Sequence, residues 1–204
     1  MTYAADPQHA ATIREVIEHW ALDRDEEQWA SLLDAFSDDG QMVTSWSTLL
    51  ARDFVAACSN GMNQRHYQVL HEFGASRVEV NGERALAATK MKIMLRGMLD
   101  GVEVDVTAYG VSRDRFALTA RGWKIALRRT VYQKSRIDPV LPDATLTLDA
   151  STLNQYPKGY RHLAYFQVAC GAKVPLDLLT LESERLPAVV EDDHAWLALG
   201  GRMS

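Results

Sequence analysis

In ASRVEVNGERALAATKMKIML, residues 75–95, apolar and polar side chains alternate on both sides of Asn81-Gly82. Alternation with a period of two places successive side chains on opposite faces of a strand, and an Asn-Gly pair favours the positive φ of a tight hairpin turn. The segment therefore predicts a long antiparallel hairpin. A second turn, LDG (99–101), leads into VEVDVTAYGV, with Val102, Val104 and Val106 on one face and Glu103, Asp105 and Thr107 on the other. A third, TARG (119–122), leads into WKIALRRTVYQKSR. Three or four long antiparallel strands are expected.

Upstream the period is helical. Ile13, Val16, Ile17 and Trp20 form one face of a helix over Ala10 to Asp23, with Asp6-Pro7 marking its start. Trp29, Leu32, Leu33 and Phe36 repeat the spacing in a second helix that ends at SDDG (37–40). QMVTSW (41–46) reads as a short strand, and LLARDFVAACSNG (49–61) as a third helix. Helices followed by an antiparallel sheet define an α+β class, in which the helices bury their stripes on one sheet face and leave a pocket at the open end. Residues 1–136 form this domain. Residues 137–204 form a partly helical C-terminal extension, with helical segments around Pro157 and Gly159 and a last one in EDDHAWLAL, expected to pack over the mouth of the barrel or on a neighbouring subunit.

The 204 residues are 47% hydrophobic and 24% charged, an ordinary globular composition. A formal net charge of -5 lacks the basic excess of a nucleic-acid binder, so no nucleic-acid partner is expected. No secretory signal or membrane-length apolar run is visible, which makes a cytoplasmic enzyme or binding protein the expectation. Cys58 and Cys170 lack paired spacing and read as buried thiols. No spacing of histidines defines a metal site, and neither a phosphate loop nor a nucleophile elbow is present, so no metal or cofactor is expected.

Three phrases carry a family resemblance: IREVIEHWALDRDEEQWASLLDAFSDDG, LHEFGASRVEVNGERALAATKM and SRDRFALTARGWKIALRRTVY. Over roughly residues 10–135 the chain resembles the SnoaL-like members of the nuclear-transport-factor-like superfamily of α+β cone folds. The resemblance implies a cone-shaped curved sheet with a deep apolar pocket, used by relatives as dehydratases, dehydrochlorinases, isomerases, cyclases and epoxide hydrolases, usually without metal. It implies a homodimer or homotrimer. It also implies a pair in which an aspartate ending the first helix orients a histidine on the sheet. The matching positions are Asp23, the first acid of LDRDE, and His71 of VLHEFG.

The residues read by themselves agree with that match. Asp23 follows Trp20 by three residues on the apolar stripe, whereas Asp25 is turned away by about 200° and is expected to face solvent. His71 shares parity with Tyr67 and Val69, while His66 shares parity with Gln68 and Leu70. Arg128 and Arg129 occupy the part of the last strand where relatives carry a polar or cationic pocket residue. Alternation puts Arg129 with Trp123, Ile125, Leu127 and Val131, which favours it over Arg128, unless a β-bulge reverses the choice. Relatives commonly carry a tyrosine on the first helix; here Trp20 stands in that region, and Tyr109 or Tyr67 could supply the phenol instead. Trp46, Met42, Met91 and Met94 are candidate walls.

The expected activity is a cofactor-independent lyase or dehydratase acting on a hydrophobic cyclic or aromatic hydroxylated substrate. His71 would be the general base, Asp23 its orienting partner, and Arg129 or Arg128 with Trp20 the stabilisers of developing charge. A formaldehyde-releasing retro-aldol cleavage or an isomerisation would use the same pair. From another class, the chain is a non-catalytic small-molecule binding domain whose pocket histidine is structural.

Overall fold

The computed structural model describes residues 6–62 and 67–201; His66 lies outside them. The chain runs α1 (Pro7–Asp25), α2 (Trp29–Asp34), β1 (Phe36–Val43), β2 (Thr48–Leu50), α3 (Ala51–Met62), then β3 (Tyr67–Asn81), β4 (Arg84–Leu99), β5 (Val102–Thr119) and β6 (Gly122–Pro139). Three helices follow: α4 (Ala150–Leu153), α5 (Arg161–Ala169) and α6 (Leu186–Ala198). The six strands form one curved, unclosed sheet in the order β2-β1-β6-β5-β4-β3, with β1 parallel to β6 and every other pair antiparallel.

The three long hairpins form where the turns predict them. Asp100 and Gly101 both have positive φ, as a two-residue turn of the primed type requires. The second helix is shorter than its apolar spacing suggests. Phe36 opens β1 instead, pairing with Ile125 of β6, because its side chain reaches the same core from a strand.

Gly82 ends the first hairpin in the left-handed region, and the end of α6 is seated against it. A β-carbon there would lie 2.2 Å from the carbonyl oxygen of Gly200. Beside it, Asn81 Nδ2 donates to the Leu197 carbonyl at 2.9 Å and Arg84 Nη1 to that of Trp196 at 2.9 Å. Gly82→Ala is therefore expected to destabilise the protein by more than about 1 kcal/mol, read as a lower urea midpoint, since it adds steric conflict to an unfavourable φ.

One face of the sheet carries two cores. Near the 81–84 and 119–122 turns, α1, α2 and α3 bury Ile13, Ile17, Trp20, Leu32 and Phe54 against Ala85, Phe116 and Ile125. Towards the other end, α5 buries Leu163 and Phe166 against Leu95, Val104 and Val106. The extension thus shares a core with β4 and β5, and the edge contact of Tyr67 on Phe166 (5.4 Å between ring centroids) ties it to β3 as well. On the opposite face, α6 is fastened by charge: Asp193 accepts from Arg113 and Arg115 at 3.1 and 2.8 Å and is also bonded to Arg129.

Cys58 is buried, but Cys170 is exposed, against expectation, because it caps α5 beyond the helix's last buried turn. Among the described residues no helix is long and apolar enough to cross a membrane.

Candidate functional site

Between the two cores lies a cavity of about 60 Å³, where ~10–15 Å³ suffices for one water, so it suits a compact molecule. Aromatic side chains from separate elements form its walls: Trp20 from α1, Trp46 from the β1–β2 loop, Phe54 from α3, Tyr67 and Phe73 from β3, and Tyr132 from β6. Trp20 and Trp46 each stack on Phe54, with centroids 6.5 and 6.0 Å apart.

His71 enters this wall from β3 on the face shared with Tyr67, Val69 and Phe73. Its partner is Asp25. The Asp25 carboxylate holds the residue twice, Oδ1 lying 2.6 Å from ring Nδ1 and Oδ2 accepting from the His71 backbone N–H at 2.6 Å. An ionised carboxylate only accepts, so Nδ1 carries the proton and the lone pair of a neutral ring resides on Nε2. Both side chains are largely buried, at 11% and 15% exposure. Burial is the main influence on the imidazole and pushes its pKa below the ordinary histidine value; Asp25 pulls it up, and the Arg24 and Arg128 cations push it down.

Asp23, the residue expected in this role, instead accepts from Ser31 Oγ of α2 at 2.6 Å. The correction follows from where the buried stripe runs. Through Ala10, Ile13, Ile17, Trp20, Ala21 and Arg24 it is centred so that Asp23 and Asp25 fall on opposite flanks, roughly 90–110° from the middle. One flank faces α2 and the other faces β3; reckoning from Trp20 alone selects the wrong one. A carboxylate in the last turn of a helix also opposes the macrodipole, at about 0.3–1 kcal/mol, so helix stability does not account for Asp25.

Arg128, not Arg129, faces the cavity. In β6 the register skips Ala126: Ile125 pairs with Phe116, Leu127 with Arg115, and Arg128 with Asp114. That bulge exchanges the two faces of the strand beyond it. Arg129 is carried to the far side, bonded to Asp193, while Arg128 is 1% exposed and makes a two-pronged pair with Asp114, Nε to Oδ1 at 3.0 Å and Nη2 to Oδ2 at 2.8 Å. Ser112 donates to the same carboxylate at 2.8 Å. The guanidinium carbon lies 4.5 Å from the centre of the Trp20 ring and 5.0 Å from that of Phe73, within cation–π range.

Three buried polar atoms on the cavity lining have no hydrogen-bond partner among the described residues: Trp20 Nε1, Arg128 Nη1 and Gln167 Oε1. Such atoms are uncommon in folded proteins, and leaving one unpaired costs about 1–3 kcal/mol. Two are donors, on Trp20, whose ring meets that of His71 edge-on at 5.4 Å between centroids, and on Arg128, whose guanidinium lies over Trp20. The third is an acceptor on α5.

Other expectations sort by face. Met42 and Met91 line the cavity. Met94 pairs with Leu70 on the opposite side of the sheet. Tyr109 is also on that side, under the Lys134 ammonium at 4.7 Å, and does not line the cavity. Tyr67 does, joined by Tyr132, which sequence reasoning missed because the Ala126 bulge governs its direction too. Burial raises the Tyr132 phenol to about 12, with hydrogen bonding to Ser45 and Thr130 acting the other way, so it remains protonated at neutral pH. No local pattern singles out Gln167. Among the described residues no group of three or more His, Cys, Asp or Glu is arranged to hold a metal.

Comparison with known proteins agrees with this architecture. The chain is 33% identical over 170 residues to pea pathogenicity protein 2 of Fusarium vanettenii and 32% identical over 170 residues to a PEP2-like protein of the same organism. Each alignment covers 81% of this chain and 72% of the relative. Among solved structures it is similar to a hexachlorocyclohexane dehydrochlorinase, LinA type 2, with a TM-score of 0.54 over 69% of this chain and 94% of that one. At 12% identity that likeness is one of fold. Residues 8–129 match the SnoaL-like domain, and the chain belongs to that family.

Proposed function

We propose that the protein is a cofactor-independent lyase that removes water from a compact, flat, hydroxylated carbonyl compound. The observation carrying this reading is the Asp25–His71 pair set into a largely apolar cavity beside two unpaired buried donors. His71 Nε2 takes a proton from the carbon next to the substrate carbonyl, and the electron pair moves onto the carbonyl oxygen. Arg128 Nη1–H and Trp20 Nε1–H donate to that enolate oxygen, and being fixed beforehand they need no reorganisation as charge develops. Collapse of the enolate forms the C=C bond and breaks the C–OH bond. The departing hydroxide takes the proton from the imidazolium, leaving as water and restoring the base. Throughout, Asp25 holds the proton on Nδ1 and supports the transient cation.

The aromatic walls favour a cyclic substrate, stacked between rings. Isomerisation of an enolisable ketone would share the first step and differ only in where the proton returns.

The test is turnover of hydroxylated cyclic ketones by the purified protein against His71→Ala, followed by mass spectrometry for the loss of one water. Equal rates in both would exclude His71 as the base. The pH profile supplies a second check. A neutral imidazole is required, and its folded pKa lies below 6.5; activity is therefore present above that pKa and lost as the pH falls through it. The expected kcat/KM is level through pH 7 and declines only below the ordinary histidine range. The contribution to stability has the same sign: the unfolded state binds the proton first, so stability decreases with acidification in that window.

A further inference from the structure

We infer that Gln167, on α5 of the C-terminal extension, determines specificity by accepting a hydrogen bond from a substrate hydroxyl remote from the reacting carbon. The family match ends at residue 129, so this position lies outside the matched segment. The inference deepens the lyase reading and rests on it for the identity of the reacting end.

Gln167 is 6% exposed, on a helix whose neighbouring Leu163, Ala164 and Phe166 are fully buried in the second core. Packing alone would be satisfied by leucine or methionine at that position. Instead a side-chain carbonyl oxygen is buried against the cavity without a donor among the described residues. An acceptor left unpaired in a low-dielectric surrounding is unfavourable, and a ligand that donates to it removes the penalty.

Position defines what that ligand looks like. Trp20 and Phe73 belong to the first core, and with His71 and Arg128 they make up the basic and donor-bearing end of the cavity. Tyr67, Tyr132 and the α5 helix belong to the second core, so Gln167 stands at the other end. The two ends differ in polarity. Unpaired donors at the first end fit a carbonyl oxygen, and the unpaired acceptor at the second fits an O–H, on a molecule short and flat enough to lie between aromatic walls. A phenolic or enolic ketone has this arrangement. A site built to bond a hydroxyl discriminates strongly against the analogue that lacks it.

The experiment measures binding of 4-hydroxyacetophenone and acetophenone by ligand-observed NMR and calorimetry, to wild type, Gln167→Leu, Gln167→Met and His71→Ala. Wild type is expected to favour the hydroxylated probe at least about tenfold. The two Gln167 variants, checked for an unchanged thermal midpoint, should lose that preference by weakening the hydroxylated probe while leaving the other unchanged or tighter. His71→Ala should retain the preference, because it alters the opposite end. Persistence of the preference in both Gln167 variants, or absence of any preference or saturable binding in wild type, would overturn the inference. Binding needs no turnover, so a protein that discriminates the probes yet dehydrates nothing would refute the lyase reading and leave Gln167 as the reader of the hydroxyl.

Discussion

Asp25→Asn is expected to lower kcat by about 10³–10⁴ at neutral pH, the scale of loss when an orienting carboxylate is replaced and the base takes the wrong tautomer. Both carboxylate oxygens of Asp25 accept from His71, one from the ring and one from the backbone. An amide has a single acceptor. If its oxygen is kept on the backbone N–H, its NH₂ meets ring Nδ1 and drives the proton to Nε2, where the lone pair is needed. If it is turned the other way, NH₂ faces the backbone N–H and two donors oppose each other. Either orientation fails, so the loss should appear chiefly in kcat, with substrate binding changed little. Asp23→Asn is the control. It disturbs only the bond with Ser31 and should leave kcat within a factor of two, a small-loss estimate consistent with an exposed hydrogen bond. Steady-state kinetics of the two variants, side by side, separate the two carboxylates.

Asp114→Ala should destabilise the fold by about 3–5 kcal/mol, because it leaves the Arg128 cation buried without its counter-ion. The two side chains are 0% and 2% exposed, and Asp114 receives Arg128 Nε, Arg128 Nη2 and Ser112 Oγ. Urea denaturation would register the change in midpoint. The double variant Asp114→Leu/Arg128→Met removes both charges from the interior and should recover most of the stability. Activity should not return with it, since the guanidinium proposed to stabilise the enolate is gone. Recovery of stability without recovery of turnover separates the pair's structural part from its proposed chemical one.

The long hairpins were legible because each is specified locally. Gly82, and Asp100 with Gly101, take positive φ, and the flanking alternation sets the faces of β4 and β5 over their full length. His71 was legible for the same reason, through its parity with Tyr67 and Val69. The choice between Asp23 and Asp25 was not, since it depends on which flank of α1 receives α2 and which receives β3, a matter of packing between distant segments. Arg128 and Tyr132 were hidden by one skipped residue in β6, whose signature is a pairing with β5 and not any residue type in the sequence. Gln167 was hidden more deeply. A glutamine in a short amphipathic helix carries no signal until α5 is seated on the sheet and its side chain meets the cavity.

Ala126 gives β6 the character of a reading frame. Ahead of it the strand spells a wall for helices, with Trp123 and Ile125 inward; beyond it the same strand spells a polar cavity lining, with Arg128, Thr130 and Tyr132 inward. Were Ala126 taken into the ladder opposite Arg115, alternation would run on and present Arg129, Val131 and Gln133 to the cavity and Arg128 to Asp193, whereas deleting it would leave Arg128, Thr130 and Tyr132 inward. The adjacent arginines would preserve a cation on each side through such a slip, whereas the threonine and the phenol would be lost. Which of the two arginines meets the cavity is thus set by whether Ala126 is left out of the ladder, not by the identity of either arginine.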